Sequence, residues 1–396
     1  MDHSSSATPH RLRVAFVSDT IDGPLGGGVV AGRNVVNALR KRGHTVRVVA
    51  ADVAEANGVR LPGFQLPLKA MREMQFTMAR PDRAALARAF EGVDVVHVQF
   101  PFWLGLVAVG EAARLGKPVV AAFHIQPENA LLNIGLRSAR LNALVYRLWV
   151  SRLFNRADAV VCPTPFAERK LRMHGLTKPA YVVSNGVPPD IGVASVLREP
   201  QYEDKFLILA VGRFAVEKRQ DVIIEAVRRA HHRDRIRLVL AGSGPREDEI
   251  RALGARLPYP PEIGFLSRER LSRLLATADL FVHASEVELE GIAVLEAMSK
   301  RLPPLIAQSE ESAASELAVS DDFRFPAGDA GALAAKIDAL VEHPERLVAA
   351  GAQSRAAVRP LTFGGSIDQL EAIYRSLSSR AWPKRRAAEP RVAAAS

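Results

Sequence analysis

The sequence predicts an α/β protein of two Rossmann-like domains, each a parallel sheet layered between helices, facing one another across a cleft. The chain has 396 residues, more than two ordinary domains' worth, so it can bury two cores. Short β-branched runs alternate with helix-length segments, a pattern that makes strands parallel and covers both sheet faces. The alternation also restarts once, after a polar, proline-containing stretch at 188–205. Hydrophobic residues are 48% and charged residues 24%, the globular balance, which excludes a mostly disordered or collagen-like chain.

The strand-like runs of the first half are 13–18, 46–50, 94–99, 118–123, 158–162 and 180–184. Those of the second half are 206–211, 236–241, 279–284 and 304–307. Helical segments fit between them at 34–42, 84–90, 167–174, 220–232, 267–276 and 331–343. The expected organisation is a disordered start at 1–11, a first domain at 12–188, a linker at 189–204, a second domain at 205–363 and a disordered basic tail at 380–396. A last helix at 364–379 is expected to cross back onto the first domain, bringing both domain ends to one hinge.

No apolar run approaches the roughly 18 residues of a membrane helix. The first residues lack a basic segment followed by an apolar one, so cytoplasmic residence is expected. The single cysteine, Cys162, excludes an intrachain disulfide and a cysteine-based zinc site, and reads as a small buried residue. A net charge of +10 favours acidic partners, although part of it lies in the tail at Arg380, Lys384, Arg385, Arg386 and Arg391. No nucleic-acid motif accompanies the charge, so nucleic acid is not an expected partner.

In open α/β sheets ligands bind beyond the C-terminal strand ends, so the chemistry is sought in strand-to-helix loops. After the first strand comes Gly23-Pro24-Leu25-Gly26-Gly27-Gly28, whose amides can approach an anion at a helix start; alone it reads equally as a flexible turn. The second half opens with a strand followed by Gly212, Arg213 and, five residues on, Lys218. A planar fork and a point charge can converge on one diphosphate there, or form a solvated basic turn. The most informative segment is 285–298. Gly291 opens a helix and leaves amides at Ile292 and Ala293 for an anion. Glu288 before that helix and Glu296 within it offer acceptors for hydroxyl groups, while Ile292, Leu295 and Met298 mark its core face. Carboxylates for diols beside a phosphate-binding helix end describe a nucleotide-sugar site. Exposed acids on a surface helix are the alternative.

These segments together resemble a known family. The Glu288–Glu296 pair, Val211-Gly212-Arg213 with Glu217-Lys218, Ala241-Gly242-Ser243-Gly244-Pro245, Gly264-Phe265-Leu266-Ser267 and Ser184-Asn185-Gly186-Val187 are similar to motifs of family-four retaining glycosyltransferases of GT-B fold. The resemblance runs from about residue 12 to 378. It implies an acceptor-binding first domain and a nucleotide-sugar-binding second domain. It further implies that Arg213 and Lys218 hold the donor diphosphate, that Glu288 meets the transferred sugar and that Glu296 meets the ribose. Phe265 and Leu266 would hold the base, Gly212, Gly242 and Gly244 would lie close to the nucleotide, and amides of Gly27 and Gly28 would close on the diphosphate. His124 corresponds to a histidine near the sugar; read without the family, it is as well a loop cap. His97 and Gln99, one strand earlier, are expected to point alternately from the sheet, so that one faces the acceptor. No Asp-x-Asp occurs, and the expectation is that no metal or other cofactor is required.

The chain departs from the family at three places. Arg301 stands where glycine is expected, 308–312 lacks a glycine pair, and Leu289-Glu290-Gly291 replaces a small-residue–Phe-Gly turn. These changes leave UDP- and GDP-hexoses open as donors. The expected acceptor is a lipid-linked or cell-envelope glycan precursor, with peripheral association at the inner face of an anionic membrane. A Met-rich basic stretch at 66–83 and an arginine-rich one at 130–157 support it, although Leu141, Leu144 and Leu148 fall between the arginines on a helical wheel. A soluble acceptor, an epimerase of the same fold and a nucleotide-sugar-binding protein are the competing readings.

Overall fold

The computed structural model describes residues 11–23, 26–65, 76–187 and 196–379. The two terminal segments, most of the Met-rich stretch and the first part of the linker therefore lie outside the described residues.

The first half opens with β1 (Arg13–Val17), α1 (Gly27–Lys41), β2 (Thr45–Ala50) and β3 (Val59–Arg60), then a small antiparallel pair, β4 (Gly63–Phe64) and β5 (Met78–Ala79). Next come α2 (Arg83–Phe90), β6 (Val95–Val98), α3 (Trp103–Arg114), β7 (Val119–Ala122), α4 (Pro127–Leu132), α5 (Ala139–Arg152), β8 (Ala159–Cys162), α6 (Pro165–Met173) and β9 (Ala180–Val182). The second half runs β10 (Phe206–Val211), α7 (Gln220–Arg229), β11 (Ile236–Ala241), α8 (Glu247–Gly254), β12 (Glu262–Gly264), α9 (Arg268–Thr277), β13 (Leu280–His283), α10 (Ile292–Ser299), β14 (Pro304–Gln308), β15 (Arg324–Pro326), α11 (Ala330–Glu342) and α12 (Glu345–Val358). A last helix, α13 (Phe363–Ser378), ends the described chain.

Both main sheets are wholly parallel, ordered β3-β2-β1-β6-β7-β8-β9 and β12-β11-β10-β13-β14-β15. Every residue of β6, β7, β8 and β13 is buried, as sheets covered on both faces require. In each sheet the winding reverses once, between β1 and β6 and between β10 and β13. Such a reversal parts the two loops that leave its strands and opens a crevice. The loops concerned carry Gly26–Gly28, Gln99–Phe102, Gly212–Lys218 and Ala284–Gly291, so topology alone delivers the motif segments to the cleft.

The helix α13 packs on the first half. Its Ile367, Leu370, Ile373, Tyr374 and Leu377 share one buried cluster with Val14, Phe16, Val48 and Val120. The chain passes between halves at a paired crossing, where the Val187 amide donates to Leu361 (2.7 Å) and the Phe363 amide donates back to Val187 (3.0 Å). Gly186 is required there: φ is 71°, and a Cβ would lie 2.6 Å from Phe363 Cα.

The described structure adds to the periodicity reading at several points. The helix α1 begins at Gly27, two turns before the expected 34–42, because its first turns are glycine-rich and carry no apolar period. Strands β3, β12 and β15 are two or three residues long, too short to show alternation. Cys162 is fully buried at the end of β8, and burial pushes its thiol up to about 12.

Arg301, at the position where the resemblance led us to expect glycine, has φ 64°. Its carbonyl is pressed against Gly351, where a Cβ would lie 2.2 Å away. The turn is left-handed, a shape that suits glycine better than arginine. Arg301→Gly should therefore stabilise the protein by roughly 1 kcal/mol, a thermal shift of a few degrees upward in calorimetry; an unchanged or lower midpoint would show that the arginine turn is unstrained.

Candidate active site

The first wall of the cleft is the loop after β1. Asp52, following β2, ties it down by accepting from the amides of Ile21 (2.8 Å) and Gly23 (2.9 Å) and from the Thr20 hydroxyl. Arg33 on α1 closes the loop from the other side by donating to the carbonyls of Ile21 (2.9 Å) and Gly23 (2.7 Å). The helix α1 then starts at Gly27 without a side-chain cap, so its first amides stay open. Close approach explains the glycines: a Cβ on Gly28 would lie 3.1 Å from the Phe100 ring and 3.4 Å from His124 Cβ.

A Cβ on Gly27 would meet Ile292 Cδ1 at 3.5 Å. Ile292 is the first residue of α10, which also lacks a side-chain cap and is entered through Gly291 at φ 89°. Two helix N-termini, one from each half, thus approach one another across the cleft, and each is a positive end without a side-chain cap.

The second wall carries the charges. Lys218 Nζ forms an ion pair with Glu288 Oε1, and His283 Nε2 at the end of β13 lies 3.3 Å from the same oxygen. Burial of Glu288 works to raise its pKa, but the Lys218 ammonium and the His283 contact outweigh it and hold the carboxyl at about 2. Arg213 pairs with Glu217 Oε1 at 3.2 Å, and the other oxygen of Glu217 accepts from Asn133 Nδ2 of the first half, also at 3.2 Å. Glu217 is itself buried.

Around these charges the glycines of the second half interlock. The Gly212 amide donates to Ala241, the Gly242 amide to Gly264 and the Phe214 amide to Ser243. A Cβ on Gly242 would lie 2.0 Å from the Gly212 oxygen, and one on Gly244 2.5 Å from the Phe214 oxygen. The Phe265 side chain, 83% exposed, stands beyond β12 beside partly buried Leu266. Glu296 sits one helical turn inside α10, its pKa raised by burial and partly drawn back by Arg268.

His124 follows β7, half-buried beside Gly28, and burial lowers its pKa to about 4, which leaves the imidazole neutral at pH 7. His97 and Gln99 require a correction. Residues two apart in a strand share a face, and both side chains are buried and joined, His97 Nε2 to Gln99 Oε1 at 3.1 Å. Gln99 donates to the Gly28 carbonyl (2.8 Å), and the Tyr374 hydroxyl of α13 meets His97 Nδ1 at 2.8 Å. Neither residue has surface left for an acceptor; they brace the glycine loop instead. Sequence reasoning missed this bracing and missed His283 and Asn133, and it gave Glu217, named only as part of a motif, no role. The four-residue spacing of Arg213 and Glu217 was the one available signal.

Two family models match: Glycosyltransferase Family 4 over residues 25–191 and Glycosyl transferases group 1 over residues 197–357. The chain belongs to the family-four glycosyltransferases. This glycosyltransferase is 22% identical to an alpha-monoglucosyldiacylglycerol synthase of Streptococcus pneumoniae over 74% of its own length and 70% of the relative's. It is 27% identical to a GDP-mannose-dependent alpha-mannosyltransferase of Mycolicibacterium smegmatis, covering 74% and 78% of the two chains. Among solved structures, HepE of Anabaena in complex with UDP-glucose superposes with a TM-score of 0.70 at 18% identity, over 92% of this glycosyltransferase and all of that chain. The likeness establishes the GT-B fold.

Protonation of His97 and His124 opposes folding, since their folded pKa values of about 3 and about 4 lie below the unfolded 6.5. The stability they contribute is present above pH 6.5 and is lost as pH falls from there towards 3. Denaturation midpoints between pH 7 and pH 4 should fall less steeply in His124→Gln than in the wild type; parallel curves would rule out the depressed imidazole.

Proposed function

We propose that this glycosyltransferase moves a hexosyl group, with retained anomeric configuration and without a metal ion, from a UDP- or GDP-hexose to a hydroxyl of a lipid-linked or cell-envelope glycan precursor. The single observation that carries the reading is the approach of two uncapped helix N-termini, Gly27 and Ile292, beside the turn whose Glu288 pairs with Lys218. Open amides, helix dipoles and an ordered cation suit a diphosphate, with Arg213 assigned as the second cation. In the proposed mechanism the bond from the anomeric carbon to the β-phosphate oxygen breaks as the acceptor oxygen bonds to the same face. The acceptor proton passes to the departing phosphate oxygen. Arg213 and Lys218 neutralise the charge that grows there, Glu288 orients the sugar hydroxyls, Glu296 takes the ribose and the 264–266 backbone takes the base. Neutral His124 offers a hydrogen bond at the sugar.

Relatives of the family support this donor class: one is GDP-mannose-dependent, and HepE was crystallised with UDP-glucose. A lipid acceptor is supported by the synthase of S. pneumoniae and by the exposed side of α5. Leu144 and Leu148 stand 61% and 46% exposed there, with Leu136 just before the helix, among exposed Arg137, Arg140, Arg147 and Arg152. Apolar side chains set among arginines suit an anionic lipid surface. Among the described residues no helix is long and apolar enough to cross a membrane, so contact with lipid would be peripheral.

Thermal-shift titration should show stabilisation by one of the UDP- or GDP-hexoses. Arg213→Ala and Lys218→Ala should each lower transfer on the order of a hundredfold, and wild-type transfer should survive a chelator. Near-normal turnover in both variants would end the diphosphate assignment. In flotation at low salt the wild type should rise with anionic vesicles and the Arg140→Glu/Arg147→Glu variant should not; failure of the wild type to bind would favour a soluble acceptor.

A further inference from the structure

The turn between Glu288 and Gly291 departs from the family pattern, and it is also where the second half enters the first. Leu289, 7% exposed, belongs to the buried apolar cluster of the first half, together with Leu104, Phe123 and Leu171. Its carbonyl accepts from the Thr164 hydroxyl at 2.7 Å. The next residue, Glu290, is 5% exposed and reaches the segment that ends the first half. Its Oε1 accepts from the Ser184 hydroxyl (2.5 Å) and the Asn185 amide (3.1 Å), and its Oε2 accepts from Asn185 Nδ2 (2.6 Å). On its other side the turn is held within the second half, where the Glu288 amide donates to Glu311 and the Ala313 amide donates to the Glu288 carbonyl.

A carboxylate that takes three such bonds in a buried setting is an expensive group to place, since burial alone raises its pKa. Leucine or phenylalanine would fill the space without that cost. What the carboxylate adds is direction: it ties the turn to two consecutive residues, one residue before the hinge glycine Gly186. The turn it ties also carries Glu288 at one end and the amides of α10 at the other.

We propose that Glu290 is a positioning residue, a latch to Ser184 and Asn185 that sets Glu288 and the α10 N-terminus against the first half when the cleft is closed. This rests on the reading of the site as a donor site. Glu290 touches no reacting atom; it acts through Glu288 and through the angle between the halves.

The test compares wild-type, Glu290→Ala and Glu290→Gln proteins. Free UDP and GDP are the binding probes, and transfer kinetics and small-angle scattering are read alongside. The proposed base, ribose and cation contacts are on the second half and only the Gly27 and Gly28 amides come from the first, so Glu290→Ala should lose no more than about threefold in nucleotide affinity, less than it loses in kcat. Its kcat should fall on the order of tenfold, a size common for coupling between sites. Its radius of gyration should increase, as the halves part. Glutamine keeps an acceptor for Asn185, so Glu290→Gln should recover part of kcat and of compactness. Unchanged kcat and unchanged dimensions in Glu290→Ala would overturn the proposal. So would equal losses of kcat, nucleotide affinity and melting temperature in both variants, the signature of a residue needed only for folding. Should Glu290→Ala fail to fold, the Ser184→Ala/Asn185→Ala variant removes side-chain donors of the same latch from the other side, with the same expectations. If the wild type binds neither nucleotide, the donor reading falls and the scattering comparison still judges the latch.

Discussion

Like charge is concentrated in the cleft, and the rest of the structure accommodates it. Two helix N-termini approach one another, and the loops that carry Arg213 and Lys218 leave the same sheet edge as one of them. Without an anion these groups repel, and the low-dielectric walls on either side lengthen the reach of that repulsion. The protein supplies its own anions, Glu288 for Lys218 and Glu217 for Arg213. Each carboxylate is in turn held from behind, Glu288 by His283 and Glu217 by Asn133. An arriving diphosphate would enter a site whose cations are already ordered, and would have to share or displace those partners. The cations would then need little reorganisation when charge develops on a leaving group.

Much of this could be read along the chain because parallel α/β folding converts order into position. Once strands and helices alternate, a motif at a strand's C-terminal end must lie at the crevice, as it does for Gly212–Lys218 and Glu288–Gly291. The seven residues between Glu288 and Glu296 were legible for the same reason, since a helix start lies between them. What stayed hidden joins residues far apart in sequence. No local pattern connects Lys218 to Glu288, Asn133 to Glu217, or Tyr374 through His97 and Gln99 to Gly28. The start of α1 was hidden for a different reason. Its glycines are chosen by the crowding of Phe100 and His124, and they erase the apolar period that would announce a helix. His97 and Gln99, two apart at the end of one strand, lie side by side on one face, so neither was free to turn to the cleft.

The departures from the family pattern have dissimilar physical standing. At Arg301 the backbone takes a left-handed turn with a side chain unsuited to it. At Leu289-Glu290 the chain makes directed contacts across the domain boundary, and Leu289 is part of the first half's own core. The first alters local strain. The second alters how tightly the two halves are registered, in the turn that also carries Glu288.

The helix α13 has a consequence for how the molecule comes into being. Its apolar face completes the core around Val14, Phe16 and Val48, on strands synthesised long before it. Those strands must wait for the whole second half to be synthesised before this neighbour arrives. Folding from one end to the other is therefore closed to this protein. The second half can condense while the first is still unfinished, and the nascent chain carries an open apolar seam until α13 docks, an interval in which a chaperone would find something to hold.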